Sequence, residues 1–131
     1  MTTSDPSQTI EVRGDTVEIK LTGSLELELA VRVVEAIAEV RTRHPRAFVL
    51  SPSSGSISPE TRKFITEWLR SSSTPLETAV WGGGPVHRAI SEMIFRGARL
   101  FRPGRFVVTF HRTRDDALAW IAARRSTPAP S

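Results

Sequence analysis

Apolar and polar positions alternate along residues 9–22 on either side of a short polar break, which is the pattern of half-buried strands. Two such runs, Thr9 to Arg13 and Thr16 to Thr22, flank Gly14-Asp15, a pair that favours a tight hairpin turn. The chain is therefore predicted to begin with a β-ribbon. After Gly23-Ser24 the apolar positions recur at helical spacing, which predicts a first helix that packs on one face through Leu29, Val33, Ile37 and Val40.

Strands and helices are predicted to alternate from this point. His44-Pro45 ends the first helix, since the residue before a proline is disfavoured in a helix, and Ala47 to Leu50 forms a continuous apolar strand. A polar loop from Ser51 to Ile57 leads to Ser58-Pro59-Glu60, which has the serine cap, first-position proline and early acid of a helix start. The apolar face of this second helix is predicted to contain Phe64, Ile65, Trp68 and Leu69.

The same pattern is repeated in the second half of the chain. Leu76 to Trp81 is predicted as a strand, Gly82-Gly83-Gly84-Pro85 as a sharp turn, and Phe106 to Phe110 as a final strand. The turn leads into a helix holding Val86, Ile90, Met93 and Ile94. The last helix starts at Thr113, which suits an N-cap with Asp116 at the third helical position, and its predicted anchors are Leu118, Trp120 and Ile121.

This order of elements predicts an α/β fold. We expect a mixed sheet of about five strands with an N-terminal hairpin and about four helices, because crossovers between parallel strands are right-handed and the hairpin supplies one antiparallel edge. Residues 9–125 are interpreted as a single domain, with residues 1–8 and 126–131 as disordered ends.

Composition narrows the class further. A chain of 131 residues with 39% hydrophobic content can bury about two thirds of its unfolded surface. It has no cysteine, no N-terminal signal with a basic start and an apolar run, and no stretch of roughly 18 apolar residues. We therefore expect a cytoplasmic protein without stable membrane insertion.

The net charge is +4, and only Lys20 and Lys63 are lysine among the 18 basic residues. The arginines are spread along every element without interleaved aromatics, which indicates solvated helix faces rather than a nucleic-acid site.

No catalytic centre is indicated by the residues. His44, His87 and His111 are isolated from one another and from carboxylates at metal-ligand spacing, and no Gly-x-Ser-x-Gly segment occurs. We therefore expect a protein that is not an enzyme and that needs neither a metal nor a cofactor.

One candidate anion or partner site lies around the glycine-rich turn. Gly83 and Gly84 could present backbone N–H groups to an anion, with His87 and Arg88 in the first turn of the following helix. The lysine and the Gly-Lys-Ser/Thr ending of a nucleotide loop are missing, so a tight turn with solvated side chains is the competing interpretation.

Aromatic side chains indicate a second candidate site. Trp68 with Phe64, and Phe95 with Phe101, could line a cavity between helix and sheet, although core packing explains them equally well. The segment from Ile94 to Arg102 interleaves apolar and basic residues, which suits either a docking patch or a helix end.

Taken in order, several of these segments resemble the SpoIIAA-like family of the STAS superfamily, whose fold is shared with CRAL-TRIO lipid-binding domains. The resemblance spans roughly residues 10–122. It depends on the hairpin before Gly23, the strand Phe48-Val49-Leu50, the helix start Ser58-Pro59-Glu60-Thr61-Arg62, the segment Ala79-Val80-Trp81-Gly82 with Arg88 soon after, and the closing Phe110 and Ala117-Leu118-Ala119-Trp120-Ile121.

The resemblance implies a STAS-like regulatory or scaffolding module that acts through protein recognition, similar to anti-sigma-factor antagonists. The family's phosphorylatable position would correspond to Ser56, Ser58 or Thr61, next to Arg62; the alternative is that Ser58 only caps the helix. The implied partner is a protein, namely a kinase, an anti-sigma-like factor or another regulator, and a homodimer is left open. The alternative function is a carrier or sensor of a lipid-like or anionic small molecule in a CRAL-TRIO-like pocket.

Overall fold

Eight regular elements make up the fold of the described residues. The computed structural model describes residues 8–21, 23–53, 57–71, 75–84, 89, 96 and 106–128. In chain order the elements are β1 (Gln8–Arg13), β2 (Thr16–Leu21), α1 (Leu27–Arg41), β3 (Phe48–Pro52), α2 (Pro59–Ser71), β4 (Leu76–Trp81), β5 (Phe106–His111) and α3 (Arg114–Arg125).

The strands form one five-stranded sheet in the order β1-β2-β3-β4-β5. β1 and β2 pair as an antiparallel hairpin, and all later neighbours are parallel. The predicted α/β class, the mixed sheet and the N-terminal hairpin are thus confirmed. Three helices lie within the described residues. The fourth predicted helix, around Val86 to Ile94, falls outside them apart from residue 89. The predicted disordered ends, residues 1–8 and 126–131, also fall outside them, except for Gln8, which begins β1, and residues 126–128, which follow α3.

Local sequence signals set the helix starts. The hydroxyl of Ser58 accepts a hydrogen bond from the backbone N–H of Thr61 at 3.1 Å, and the hydroxyl of Thr113 accepts one from Asp116 at the same distance. Both side chains therefore cap a helix as predicted, by satisfying an N–H that has no partner inside the helix. α1 has no such side-chain cap, and its predicted apolar face is buried through Leu29, Val33, Ile37 and Val40.

β3 is longer than its apolar run. Ser51 and Pro52 were predicted as the beginning of a polar loop, and this is wrong, because they pair with Val80 and Trp81 of β4. The pairing of β3 with β2 ends earlier, at Leu50. Proline lacks a backbone N–H, and it is tolerated here because only one neighbouring strand reaches this end of β3.

Successive side chains of a strand point to opposite faces of the sheet, which creates two separate cores. On one side, called the cavity face below, α1 and α2 cover residues of β2, β3 and β4. Its buried residues are Val17, Ile19, Leu29, Val33, Ile37, Val40, Ala47, Val49, Leu69 and Leu76. On the other side, called the ion-pair face below, α3 covers a smaller core made of Phe48, Leu50, Ala79, Ala117 and Ile121.

The contacts of α3 differ in part from those predicted. Ile121 is fully buried, as expected for an anchor, but Leu118 and Trp120 are only partly buried and pack against the edge of the core. Ala117 occupies the central position instead, with no exposed surface. A small residue lets the helix backbone approach the sheet closely, which leaves the large side chains at the periphery.

Candidate functional site

The start of α2 is the first candidate site, because it brings together the predicted switch residues. Ser58 is exposed and its hydroxyl donates to Thr61 Oγ1 at 2.9 Å, while Thr61 is fully buried. Of the two described hydroxyls at this helix end, Ser58 is therefore accessible and Thr61 is its internal partner. Ser56 lies outside the described residues.

Arg62 lies one helical turn after Ser58 and faces the same loop. Its Nη2 donates to the backbone carbonyl of Ile57 at 3.3 Å, which holds the guanidinium beside the residue that precedes Ser58. Its Nε is buried and has no hydrogen-bond partner. Within the described residues, α2 thus begins with an exposed hydroxyl and a nearby guanidinium N–H whose bonding capacity is unused.

The glycine-rich turn adjoins this region through the backbone. The N–H of Ser53 donates to the carbonyl of Trp81 at 2.8 Å, so the segment after β3 and the turn after β4 leave the sheet side by side. Gly82 and Gly83 have φ angles of 76° and 74°, which side chains rarely adopt, so the backbone needs glycine at these two positions. His87 and Arg88 lie outside the described residues.

Unpaired polar atoms are concentrated near this carboxyl edge. Among the described residues, the buried side-chain atoms without a partner are Ser53 Oγ, Arg62 Nε, Thr78 Oγ1 and Trp81 Nε1. Three of these belong to residues at the ends of β3 and β4 or in the first turn of α2. Buried polar atoms are normally paired, so such exceptions are informative about function. The carboxyl ends of parallel strands are also where open α/β sheets usually bind ligands.

A second candidate site is an apolar cavity of about 120 Å³ between the cavity face and the helices α1 and α2. Ser51 and Thr78 supply its only hydroxyls among the described lining residues, and no charged side chain lines it. Trp68 lines the cavity and also packs against the core of the cavity face, so both interpretations of it hold in part, whereas Phe64 is not among the described lining residues. Phe95 and Phe101 lie outside the described residues. The described lining residues are Ile19, Leu21, Leu25, Ala30, Val33, Val34, Ile37, Val49, Ser51, Pro52, Ile57, Ile65, Trp68, Leu69, Leu76, Thr78 and Val80.

The ion-pair face contains two buried carboxylates that the sequence analysis missed. Glu77 receives hydrogen bonds from Arg46 at 2.9 and 2.6 Å and from Arg124 at 2.7 Å. Glu18 is bound by Arg114 at 2.6 and 2.8 Å and also pairs with Arg13. Each glutamate is 2% exposed, so each buried charge is matched by two guanidinium groups.

Arginine also links α3 to the hairpin. Arg125 binds the carboxylate of Asp15 at 2.7 and 2.9 Å and the hydroxyl of Thr16 at 3.0 Å. Hydrogen bonds from Arg125 lower the pKa of Asp15, and those from Arg114 lower the pKa of Glu18 in spite of the opposing effect of burial. The prediction that the arginines only solvate helix faces is wrong for these residues, which neutralise acids between the sheet and α3.

A signal for these pairs was present in the sequence. Glu18 lies between Val17 and Ile19, and Glu77 follows Leu76 in a strand that is otherwise mostly apolar. A carboxylate inside a buried strand requires a partner, and the arginine-rich last helix could supply one. Which arginine meets which acid depends on the tertiary arrangement.

Metal binding and membrane insertion find no support within the described part of the chain. There, no group of three or more histidine, aspartate or glutamate side chains is arranged to hold a metal ion. No helix among those residues is both long and apolar enough to cross a bilayer.

Comparison with known proteins returns no relative. No family model matches the chain, and neither a curated protein nor a solved structure matches it.

Proposed function

We propose that this domain is a non-enzymatic regulatory or scaffolding module that acts through protein-protein recognition, like the STAS anti-sigma-factor antagonists that its sequence resembles. The observation that carries the proposal is that exposed Ser58 caps α2 and that Arg62, whose Nε has no hydrogen-bond partner, lies in the first turn of the same helix. Ser58, Pro59 and Glu60 are all exposed there. A partner protein can therefore reach the helix end directly.

Phosphorylation of Ser58 would change this surface strongly. A phosphoryl group adds a charge of about −1.5 to −2 and three acceptor oxygens. At the first turn of α2 it would meet backbone N–H groups and the positive end of the helix dipole, and Arg62 could donate to it. The modified and unmodified domains would then present different charges to the same partner, which is what a switch requires.

The expected partner is a kinase, an anti-sigma-like factor or another regulator. The contact surface would extend from the start of α2 to the turn at Gly82 to Gly84. In support of this, Ser53, which lies between β3 and α2, donates its N–H to the carbonyl of Trp81, next to the turn. Nucleic acid is a weaker candidate, because Arg13, Arg46, Arg114, Arg124 and Arg125 are engaged in ion pairs with the protein's own acids.

A lipid carrier of the CRAL-TRIO kind is supported less well. The cavity of about 120 Å³ is smaller than the roughly 300 Å³ at which pockets for drug-sized ligands begin. An anionic ligand would also meet no cationic group among the described lining residues. Protein recognition remains the function we propose.

The first test is phosphopeptide mass spectrometry on the protein purified from its own organism. The tryptic peptide spanning residues 47–62 contains every hydroxyl residue under consideration. We expect a phosphate on Ser58 in at least one growth condition. An unmodified peptide in all conditions would rule out the switch, although constitutive docking could still be examined with variants.

Docking is tested by quantitative affinity capture with Ser58→Asp and Ser58→Ala. Aspartate keeps an oxygen that can cap the helix while adding charge, whereas alanine removes the cap without adding charge. We expect Ser58→Asp to reduce capture of the partner at least tenfold and Ser58→Ala to retain it. Thr113→Asp is the matched control, because Thr113 has the same capping role at α3. Equal capture by all variants would contradict the proposed contact surface.

A further inference from the structure

The cavity under α1 and α2 contains a polar group that the fold does not use. Thr78 lies on β4 with its neighbours Leu76 and Val80 on the same face, and all three line the cavity. Thr78 is 4% exposed, and its Oγ1 has no hydrogen-bond partner. Leaving a buried hydroxyl unpaired is unfavourable, so its retention in a cavity wall points to a ligand group that pairs with it.

Ser51 is the other hydroxyl in the wall, but it is already engaged. Its Oγ donates to the carbonyl of Pro52 at 2.9 Å. Among the described lining residues, Thr78 therefore provides the hydroxyl whose donor is unused, since Ser51 has already used its own. A ligand with one polar group would form a hydrogen bond with the Thr78 hydroxyl.

The size of the cavity suits an occupant of about one ring. Its volume of about 120 Å³ is similar to the roughly 150 Å³ of a protein cavity that binds benzene. The walls are otherwise aliphatic apart from the indole of Trp68. Apolar walls of this kind favour a compact hydrophobic molecule, since burial of apolar surface drives its transfer from water.

The absence of charge in the described walls indicates that the occupant is neutral. A buried ion without a partner would be strongly unfavourable. We propose that the cavity binds a small neutral molecule, of about the size of one aromatic ring, whose single polar group forms a hydrogen bond with the Thr78 hydroxyl. Ser58 is not among the described lining residues, although its neighbour Ile57 is, and the proposal does not depend on the protein-recognition function.

The binding test uses phenol and toluene, which have nearly the same shape but differ in one hydroxyl. Each is titrated into the full-length, isotope-labelled protein and followed by two-dimensional amide NMR, with Trp68 as an indole reporter in the wall. We expect saturable shifts at residues of α1, α2 and β4 on the cavity face. Failure of both compounds to saturate the folded protein, or shifts centred on α3, would overturn the proposal.

The role of the hydroxyl is tested with Thr78→Val, which keeps the shape of the side chain. The ratio of phenol affinity to toluene affinity should fall about fivefold, as expected for the loss of one neutral hydrogen bond. Thr109→Val is the matched control, because Thr109 lies on the neighbouring strand, faces the opposite side and bonds with His111 at 2.8 Å. An unchanged ratio in Thr78→Val, or an equal fall in Thr109→Val, would overturn the assignment of Thr78.

A filling variant locates the site independently. Ala30 is buried in the wall, and Ala30→Leu would occupy part of the cavity. We expect both compounds to bind at least tenfold more weakly to this variant. Binding as tight as in the parent protein would overturn the location, and the Thr78 comparison remains decisive if Ala30→Leu does not fold.

Discussion

The two faces of the sheet hold their helices by different interactions. On the cavity face, α1 and α2 pack through aliphatic side chains and leave a space of about 120 Å³. On the ion-pair face, α3 contributes only Ala117 and Ile121 to a small core, and its ends are held by arginines bound to buried acids. Apolar packing is not directional, so the first face can accommodate a guest, whereas bidentate ion pairs fix the second in one geometry.

This difference predicts where the domain is fragile. Hydrophobic contacts lose stability in proportion to the atoms removed, but a buried ion pair leaves an uncompensated charge when one partner is lost. The most damaging single changes should therefore lie on the ion-pair face, although its core is the smaller of the two.

The largest effect is expected for Glu77→Ala. It leaves Arg46 and Arg124 without their carboxylate, so we expect a loss of about 3–5 kcal/mol in the free energy of unfolding, measured by urea denaturation. The control is Glu39→Ala, which removes an exposed pair with Arg43 at 3.9 Å and should change stability by less than about 0.5 kcal/mol. Similar losses of stability in Glu77→Ala and Glu39→Ala would contradict the expected difference between buried and surface ion pairs.

The next largest effect on stability is expected when the same substitution, alanine to leucine, is made on each face. Ala117 and Ala30 are buried helical alanines, the first against the ion-pair face and the second in the cavity wall. Ala117→Leu should cost about 1–3 kcal/mol because no space is open to it, whereas Ala30→Leu should stay within about 1 kcal/mol of the parent protein. Denaturant unfolding measures the stability of both variants. Equal losses of stability would mean that the cavity face is packed as tightly as the ion-pair face.

The smallest effect is a loss of stability in acid, which is not seen at neutral pH, where the carboxylates are ionised and paired. The pKa of Glu18 is lowered from its ordinary value of 4.5 and that of Asp15 from 3.8, in both cases mainly by hydrogen bonds from arginine. A carboxylate with a lowered pKa contributes stability above its unfolded-state pKa and loses that contribution as the pH falls through the folded-state value. The domain should therefore weaken below about pH 4.5.

Amide hydrogen exchange during an acid titration locates this weakening. Because Arg114 and Arg125 join α3 to these two acids, α3 should lose protection before α1 does. Earlier loss in α1, or stability that does not change across this range, would show that the ion pairs do not hold the last helix.

Local patterns were sufficient to predict most of the fold. Ser58 and Thr113 act as caps because capping depends on side chains a few residues apart, and the hairpin depends on Gly14-Asp15 between two alternating runs. β3 was predicted too short because Ser51 and Pro52 become strand residues only through pairing with β4, which is not visible within the segment itself.

The sites were less predictable, for physical reasons. Ser58 and Arg62 were found because they lie within one helical turn. The unpaired hydroxyl of Thr78 and the partners of Glu77 were missed, since both depend on residues brought together from distant parts of the chain. A polar residue within an apolar strand indicates that something must pair with it, but its partner is decided by the tertiary structure.

The order of the strands also has a consequence for how the domain assembles during synthesis. Each strand pairs with the one before it, so the sheet can grow from the hairpin as the ribosome releases the chain. Of the described elements, α3 is made last, and it returns to Asp15 and Glu18 on the first hairpin. Loss of residues 114–125 would uncover the small core of the ion-pair face, leave Asp15 without Arg125 and leave Glu18 with Arg13 alone, so this face is completed only when α3 has been made.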